Sequence, residues 1–182
     1  MREKIDCFLP AMDEQVAEGI VKQLRNSKTV QNITQLETGL LSSNALMQVA
    51  ENAKADYVLL LTKPVKVVLG QGALDRMLRV ASDSNAAMVY SDYSGHPVID
   101  YFPGSIRDDF DFGSLWLFKT SLLHTFAMQA GEHDYQYAGL YALRLFLSRK
   151  GQCQKTIIYA LTVAVSTEEF VTLESEYGLA LK

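Results

Sequence analysis

The chain has 182 residues, 48% of them hydrophobic and 21% charged, with 11 glycines and 4 prolines; one domain with its own core is expected, and disordered or fibrous classes are excluded. Acidic residues outnumber basic ones 21 to 17 and no basic stripe appears, so nucleic acid is disfavoured as a partner. Cys7 and Cys153 sit far apart in apolar runs and read as buried thiols of a reducing compartment. No apolar stretch follows the opening charges as a signal peptide requires, and no run reaches the roughly 18 apolar residues of a transmembrane segment, so the cytoplasm is the expected location.

Ile5–Leu9 is a short apolar run broken by Asp6 and stopped by Pro10, a buried strand. Asp13 is a good N-cap for a helix carrying Val16, Ile20 and Leu24 at four-residue spacing. Residues 30–36 alternate weakly and give a second strand. A second helix begins near Ser42 or Ser43, with Leu46, Val49, Ala50 and Ala53 as its stripe. Tyr57–Leu61 is apolar without alternation, the pattern of a central parallel strand buried on both faces. Residues 72–82 form a third helix with Leu74, Met77, Leu78 and Ala81 inward. Residues 86–90 form a fourth strand ending at Ser91, Asp92 and Tyr93.

This alternation of strands and helices calls for an α/β sandwich with a mainly parallel sheet and right-handed crossovers. A ligand then sits outside the carboxyl ends of the strands. Those ends are Pro10, Ala11, Met12 and Asp13, then Glu37 and Thr38, then Thr62, Lys63 and Pro64, then Ser91 and Asp92. The second part opens with an irregular polar stretch, 97–111, holding Asp108, Asp109 and Asp111. A strand over 114–118, a helix over 121–129, a helix around 141–147 ended by Gly151 as a C-cap, and a strand over 156–165 follow.

The order of these elements resembles the GT-A fold of family-2 glycosyltransferases over nearly the whole chain, a Rossmann-like three-layer αβα sandwich. Residues 5–14 resemble that family's opening strand and its Pro-x-Tyr-Asn-Glu turn. Ser43, Asn44 and Ala45, followed by Ala50, resemble its Arg-Asn helix start. Residues 55–61 resemble the strand that leads into its Asp-x-Asp motif, and 74–93 the helix and strand that come next. Residues 113–119 resemble its acceptor-side strand, and Leu140 to Leu145 with Gly151 its late helix. The run from Ile99 through Arg107 to Ser114 resembles one bacterial subgroup. The resemblance implies a nucleotide-sugar-binding half over 1–93 and an acceptor-side half over 94–182, in a chain that either stops before the family's C-terminal helices or is one domain of a longer protein. It also implies transfer of a sugar from a nucleoside diphosphate sugar to a hydroxyl of a glycan or lipid-linked acceptor in bacterial polysaccharide or glycoconjugate assembly.

Two departures stand against it. Where the Asp-x-Asp motif belongs the chain has Thr62, Lys63 and Pro64, without the carboxylates that hold a divalent cation on the diphosphate. The family's late Glu-Asp pair, which supplies the base, falls on Gly139 and Leu140. Lys63 could instead balance charge on a departing diphosphate, or be an ordinary surface lysine. Asp108, Asp109 and Asp111 could supply the base, or bind Mg²⁺ or Mn²⁺ in place of the missing motif, or be a solvated loop. Asp13 and Asn44 are nucleotide contacts by position and helix caps by chemistry. Asp92 could contact ribose or diphosphate, or cap a turn. Trp116 reads as core more readily than as a sugar platform. His96, His124 and His133 lack ligand spacing, and Gly70 and Gly72 do not make a phosphate loop. The alternative reading is a non-catalytic nucleotide-sugar-binding or protein-interaction module that has lost the acidic motifs.

Overall fold

A computed structural model describes residues 3–93, 98–102, 110–130 and 135–163. The elements run β1 (Ile5–Leu9), α1 (Glu14–Arg25), β2 (Val30–Gln35), α2 (Ser43–Asn52), β3 (Tyr57–Leu61), β4 (Lys66–Val68), α3 (Ala73–Asp83), β5 (Met88–Tyr93), β6 (Leu115–Lys119), α4 (Thr120–Ala130), α5 (Gly139–Lys150) and β7 (Cys153–Val163). Seven strands form one sheet in the order β2-β1-β3-β6-β5-β7-β4. β1, β2, β3, β5 and β7 run one way; β6 opposes β3 and β5, and β4 opposes β7.

Strand alternation divides the core in two. Ile5, Cys7 and Leu9 of β1 join Leu59, Leu61, Leu115 and Leu117 on the face covered by α1 and α3, where Ile20, Leu24, Met77 and Leu78 are buried. Phe8, Val58, Leu60, Trp116 and Phe118 face the other way, toward Leu46 and Val49 of α2, Leu123 and Phe126 of α4, and Leu143 and Leu147 of α5. The result is the expected three-layer αβα sandwich. Full burial of β3 on both faces bears out the reading of its unalternating apolar run.

The sheet is mainly parallel, as expected, with one reversed strand set into its middle. The fourth strand predicted, β5, does not lie beside β3, because β6 inserts between them antiparallel to both, pairing Leu61 with Leu115 and Tyr90 with Trp116. Direction along a strand leaves no mark in a five-residue apolar run, so the reversal was invisible. β4 escaped notice because it is three residues long, and β7 begins at Cys153, three residues before the expected start. Gly151 follows α5 at φ 170°, extended backbone and not a left-handed cap. Its requirement is space: a Cβ there would stand 3.2 Å from Cβ of Ala87.

Among the described residues, no helix is long and apolar enough to cross a membrane. Burial raises both thiols, Cys153 to about 12 and Cys7 further, the latter by desolvation first and the neighbouring Asp6 charge second. Both therefore stay protonated and inert, as buried cysteines do.

Candidate functional site

The parallel strands discharge their chains at one edge of the sheet. Because β6 is reversed, the residues preceding it arrive at that same edge. β1 is followed by Pro10, which is buried; Ala11 is exposed and its N–H donates to the Thr38 carbonyl at 3.2 Å, tying the segments after β1 and β2 together. Met12 is half-buried against the α1/α3 core. Asp13 is the N-cap of α1, its Oδ1 accepting from the N–H groups of Gln15 at 2.9 Å and Val16 at 3.4 Å. The capping role is thus occupied, as its residue type allowed.

β3 is followed by Thr62, Lys63 and Pro64. Thr62 is buried; its N–H donates to the Ser114 carbonyl at 2.8 Å and its Oγ1 to the same oxygen at 3.3 Å. Lys63 and Pro64 are exposed beyond it, and the Val65 N–H returns to the Lys63 carbonyl at 2.8 Å in a tight turn. This set does not fit a divalent cation. It has no carboxylate, its middle member is itself a cation, and its one hydroxyl already donates to a backbone carbonyl. Asp92 is the penultimate residue of β5, which ends at Tyr93 as expected and begins at Met88, two residues after the expected start. Asp108 and Asp109 lie outside the described residues.

Asp111 lies at this edge, in a turn that leads into β6. Its Oδ1 accepts from the Gly113 N–H at 2.8 Å, and Gly113 takes φ 68°, a left-handed conformation that suits glycine. Trp116 closes the turn from below, its indole N–H donating to the Gly113 carbonyl at 3.0 Å while the ring stays buried. The core reading of Trp116 therefore holds. Phe112 points inward, its ring edge-on to Tyr90 at 4.9 Å and to Trp116 at 6.0 Å. Phe112 is buried, while Asp111 and Phe110 are both half-buried.

The structure also shows contacts that composition and spacing did not disclose. Asn44 is exposed in the first turn of α2, but the cap is Ser42, whose Oγ accepts from the Ala45 N–H at 3.2 Å. The start of this helix is covered by the chain itself. The Ser43 N–H donates to the Tyr135 carbonyl at 2.8 Å, the Tyr135 N–H donates to Ser43 Oγ at 3.1 Å, and the Gly139 N–H donates to the Leu41 carbonyl at 2.7 Å. Gly139 packs so closely that a Cβ would lie 2.5 Å from the Ser42 carbonyl carbon. The position matched to the family's missing acid pair thus has no room for a side chain. Arg144, on α5, is 9% exposed; its Nη1 donates to the Phe110 carbonyl at 2.9 Å and its guanidinium lies 4.6 Å over the Tyr141 ring. An arginine within the apolar run Leu143 to Leu147 was the available signal for it.

The edge therefore assembles Pro10 to Asp13, Thr62 to Pro64, the end of β5 and the Asp111 turn. It leaves the start of α2 closed by Tyr135 and Gly139. Among the described residues, no three of His, Cys, Asp and Glu are placed to share a metal ion.

No protein-family model matches the sequence, and no curated protein does. Solved structures do match. The 2-C-methyl-D-erythritol 4-phosphate cytidylyltransferase of Thermus thermophilus aligns with a TM-score of 0.57 at 12% identity, over 94% of this chain and 96% of that one. Glucosyl-3-phosphoglycerate synthase of Mycobacterium tuberculosis, in complex with Mn²⁺, UDP-glucose and phosphoglyceric acid, aligns with a TM-score of 0.57 at 10% identity, over 93% and 75%. TarS of S. aureus in complex with UDP-GlcNAc aligns with a TM-score of 0.52 at 12% identity, over 90% and 60%. At such identities the likeness establishes the fold, which is GT-A-like, and leaves the chemistry to the site.

Proposed function

We propose that this chain is a nucleotide-sugar-using glycosyltransferase domain, with the donor held along the carboxyl edge by the 1–93 half and the acceptor facing the 97–118 region. One observation carries this reading: segments from four separate parts of the sequence, at Pro10 to Asp13, Thr62 to Pro64, Asp92 and Asp111, end at one edge of one sheet. The Thr62–Ser114 hydrogen bond holds two of them together, so Lys63 follows directly on one side and Asp111 lies three residues before the other. In this reading the acceptor hydroxyl gives its proton to an acid of the Asp108, Asp109 and Asp111 cluster as its oxygen attacks the anomeric carbon. The bond from that carbon to the diphosphate breaks, and Lys63 balances the charge carried away by the leaving group. The residues at the end of β3 do not suit a metal, so this reading places none at that position. The setting that fits is the assembly of a polysaccharide or glycoconjugate in a bacterial cytoplasm.

A second reading has its own observation. Gly139, where the family's acid pair would fall, is pressed against the backbone of Ser42 and Ser43, which favours a nucleotide-sugar-binding module without transfer. A thermal-shift screen against UDP-, GDP- and dTDP-sugars and CTP, with and without Mn²⁺, followed by a hydrolysis and transfer assay, separates the two. A ligand at a hundred times its dissociation constant adds about 2.7 kcal/mol of apparent stability. A metal-independent shift with one sugar-nucleotide class and turnover supports the transferase, and a shift without turnover supports the module. A shift with CTP alone would replace both by nucleotidyl transfer, since the cytidylyltransferase aligns over nearly its whole length.

A further inference from the structure

We infer that Arg144 is a positioning residue for Asp111, acting through the peptide bond that precedes it. The proposal rests on the transferase reading for its consequence, but its geometry stands independently. Asp111 sits in a turn whose two flanking carbonyls are both held by side chains from elsewhere. Arg144 Nη1 donates to the Phe110 carbonyl at 2.9 Å, across 34 residues of sequence, and Trp116 Nε1 donates to the Gly113 carbonyl at 3.0 Å. Between them the carboxylate itself accepts the Gly113 N–H at 2.8 Å. Three hydrogen bonds thus fix both peptide planes and one carboxylate oxygen.

The choice of arginine has a physical reason. A buried cation is expensive unless it is bonded, and α5 otherwise packs through Leu143 and Leu147. Packing alone would be served by leucine or methionine. A guanidinium can stack its flat face on Tyr141, 4.6 Å away, while donating at its edge, which an ammonium cannot do in the same geometry. Phe110 is seated from the other side as well: its ring stands 4.5 Å from Phe112 and 5.9 Å from Tyr101. Tyr101 in turn is held through its N–H, which donates to the Tyr90 hydroxyl at 2.8 Å. The peptide entering Asp111 is therefore gripped between a buried aromatic cluster and one arginine.

The test uses the full chain with Arg144→Met and, as a variant at an exposed position, Tyr141→Leu, which removes the ring under the guanidinium. Two readouts are taken. Amide exchange across 110–116 should speed up by about tenfold in Arg144→Met and less in Tyr141→Leu, with β1 and β3 unchanged. In the transfer assay kcat should fall about tenfold or more while the donor KM stays within about twofold, because a misplaced base weakens only the transition state. Unchanged exchange at 110–116 in both variants overturns the inference. An equal loss in kcat and donor affinity also overturns it, since that is what a general loosening of the fold produces. If wild-type protein transfers no sugar, the transferase reading fails and the exchange result alone decides whether Arg144 positions the Asp111 turn.

Discussion

Two carboxylates at opposite ends of the sheet do different work. Asp6, in β1, is 1% exposed, and its oxygens accept from Asn32 Nδ2 at 2.8 Å and from the N–H groups of Lys54 and Ala55 at 2.7 and 2.8 Å. It ties the entry of β3 to β1 and β2, and its bonding capacity is spent on backbone and one amide. Asp111 is half-buried at the other end, in a turn held by residues of three elements and at the edge where the exposed Lys63 leaves β3. The lesson is that an acid breaking an apolar strand run marks a structural knot, whereas an acid in the loop entering a reversed strand is delivered to the carboxyl edge of the sheet.

Four substitutions or conditions put that contrast at risk. Asp6→Ala strands two backbone donors and one amide in the interior and should lower unfolding free energy by about 4 kcal/mol. A loss under about 1 kcal/mol in urea titration would erase the distinction between the two acids. Gly139→Ala forces a Cβ into the Ser42 backbone and should cost about 2–3 kcal/mol. If instead it is neutral, the closure of the α2 start is looser than its distances imply.

Alkaline pH probes the two buried thiols. The folded thiols of Cys7 and Cys153 are raised above their unfolded value, so the folded state holds protons that the unfolded state releases. This contribution is complete below the unfolded thiol value and should decline by about 1.4 kcal/mol per pH unit per thiol above pH ~9. A stability that stays flat from about pH 8 to about pH 10.5 would show that neither thiol is sealed. Smallest in stability is Lys63→Ala, expected to change unfolding free energy by under about 0.5 kcal/mol. It should nevertheless weaken donor binding about tenfold. A variant that binds the donor as tightly as wild type removes Lys63 from the site.

Much of the architecture was readable from residue pattern. Short apolar runs announced β1, interrupted by Asp6, and β3, uninterrupted; four-residue spacing announced α1, and Asp13 announced its own cap. The strand-and-helix alternation placed four strand ends at one edge before any coordinate was known. What escaped depends on contacts between distant residues. The reversal of β6 is a property of its neighbours and leaves no trace in Leu-Trp-Leu-Phe. Ser43 meeting Tyr135 and Arg144 meeting Phe110 join residues 92 and 34 positions apart. Gly139 looked like the loss of an acid; the structure shows a glycine required by the approach of two helix starts.

The insertion of β6 also sets the order in which the molecule can assemble. β1 pairs with β2 on one side and β3 on the other, but β5 is joined to them through residues 115–119, well beyond β3 in the chain. A nascent chain that has emerged only as far as β5 therefore holds a three-stranded piece with a bare apolar margin along β3 and a lone strand with nothing to join. Closure must await the late arrival of a strand that zips both at once, a long-range step of the kind that slows folding and leaves sticky edges exposed while it is pending.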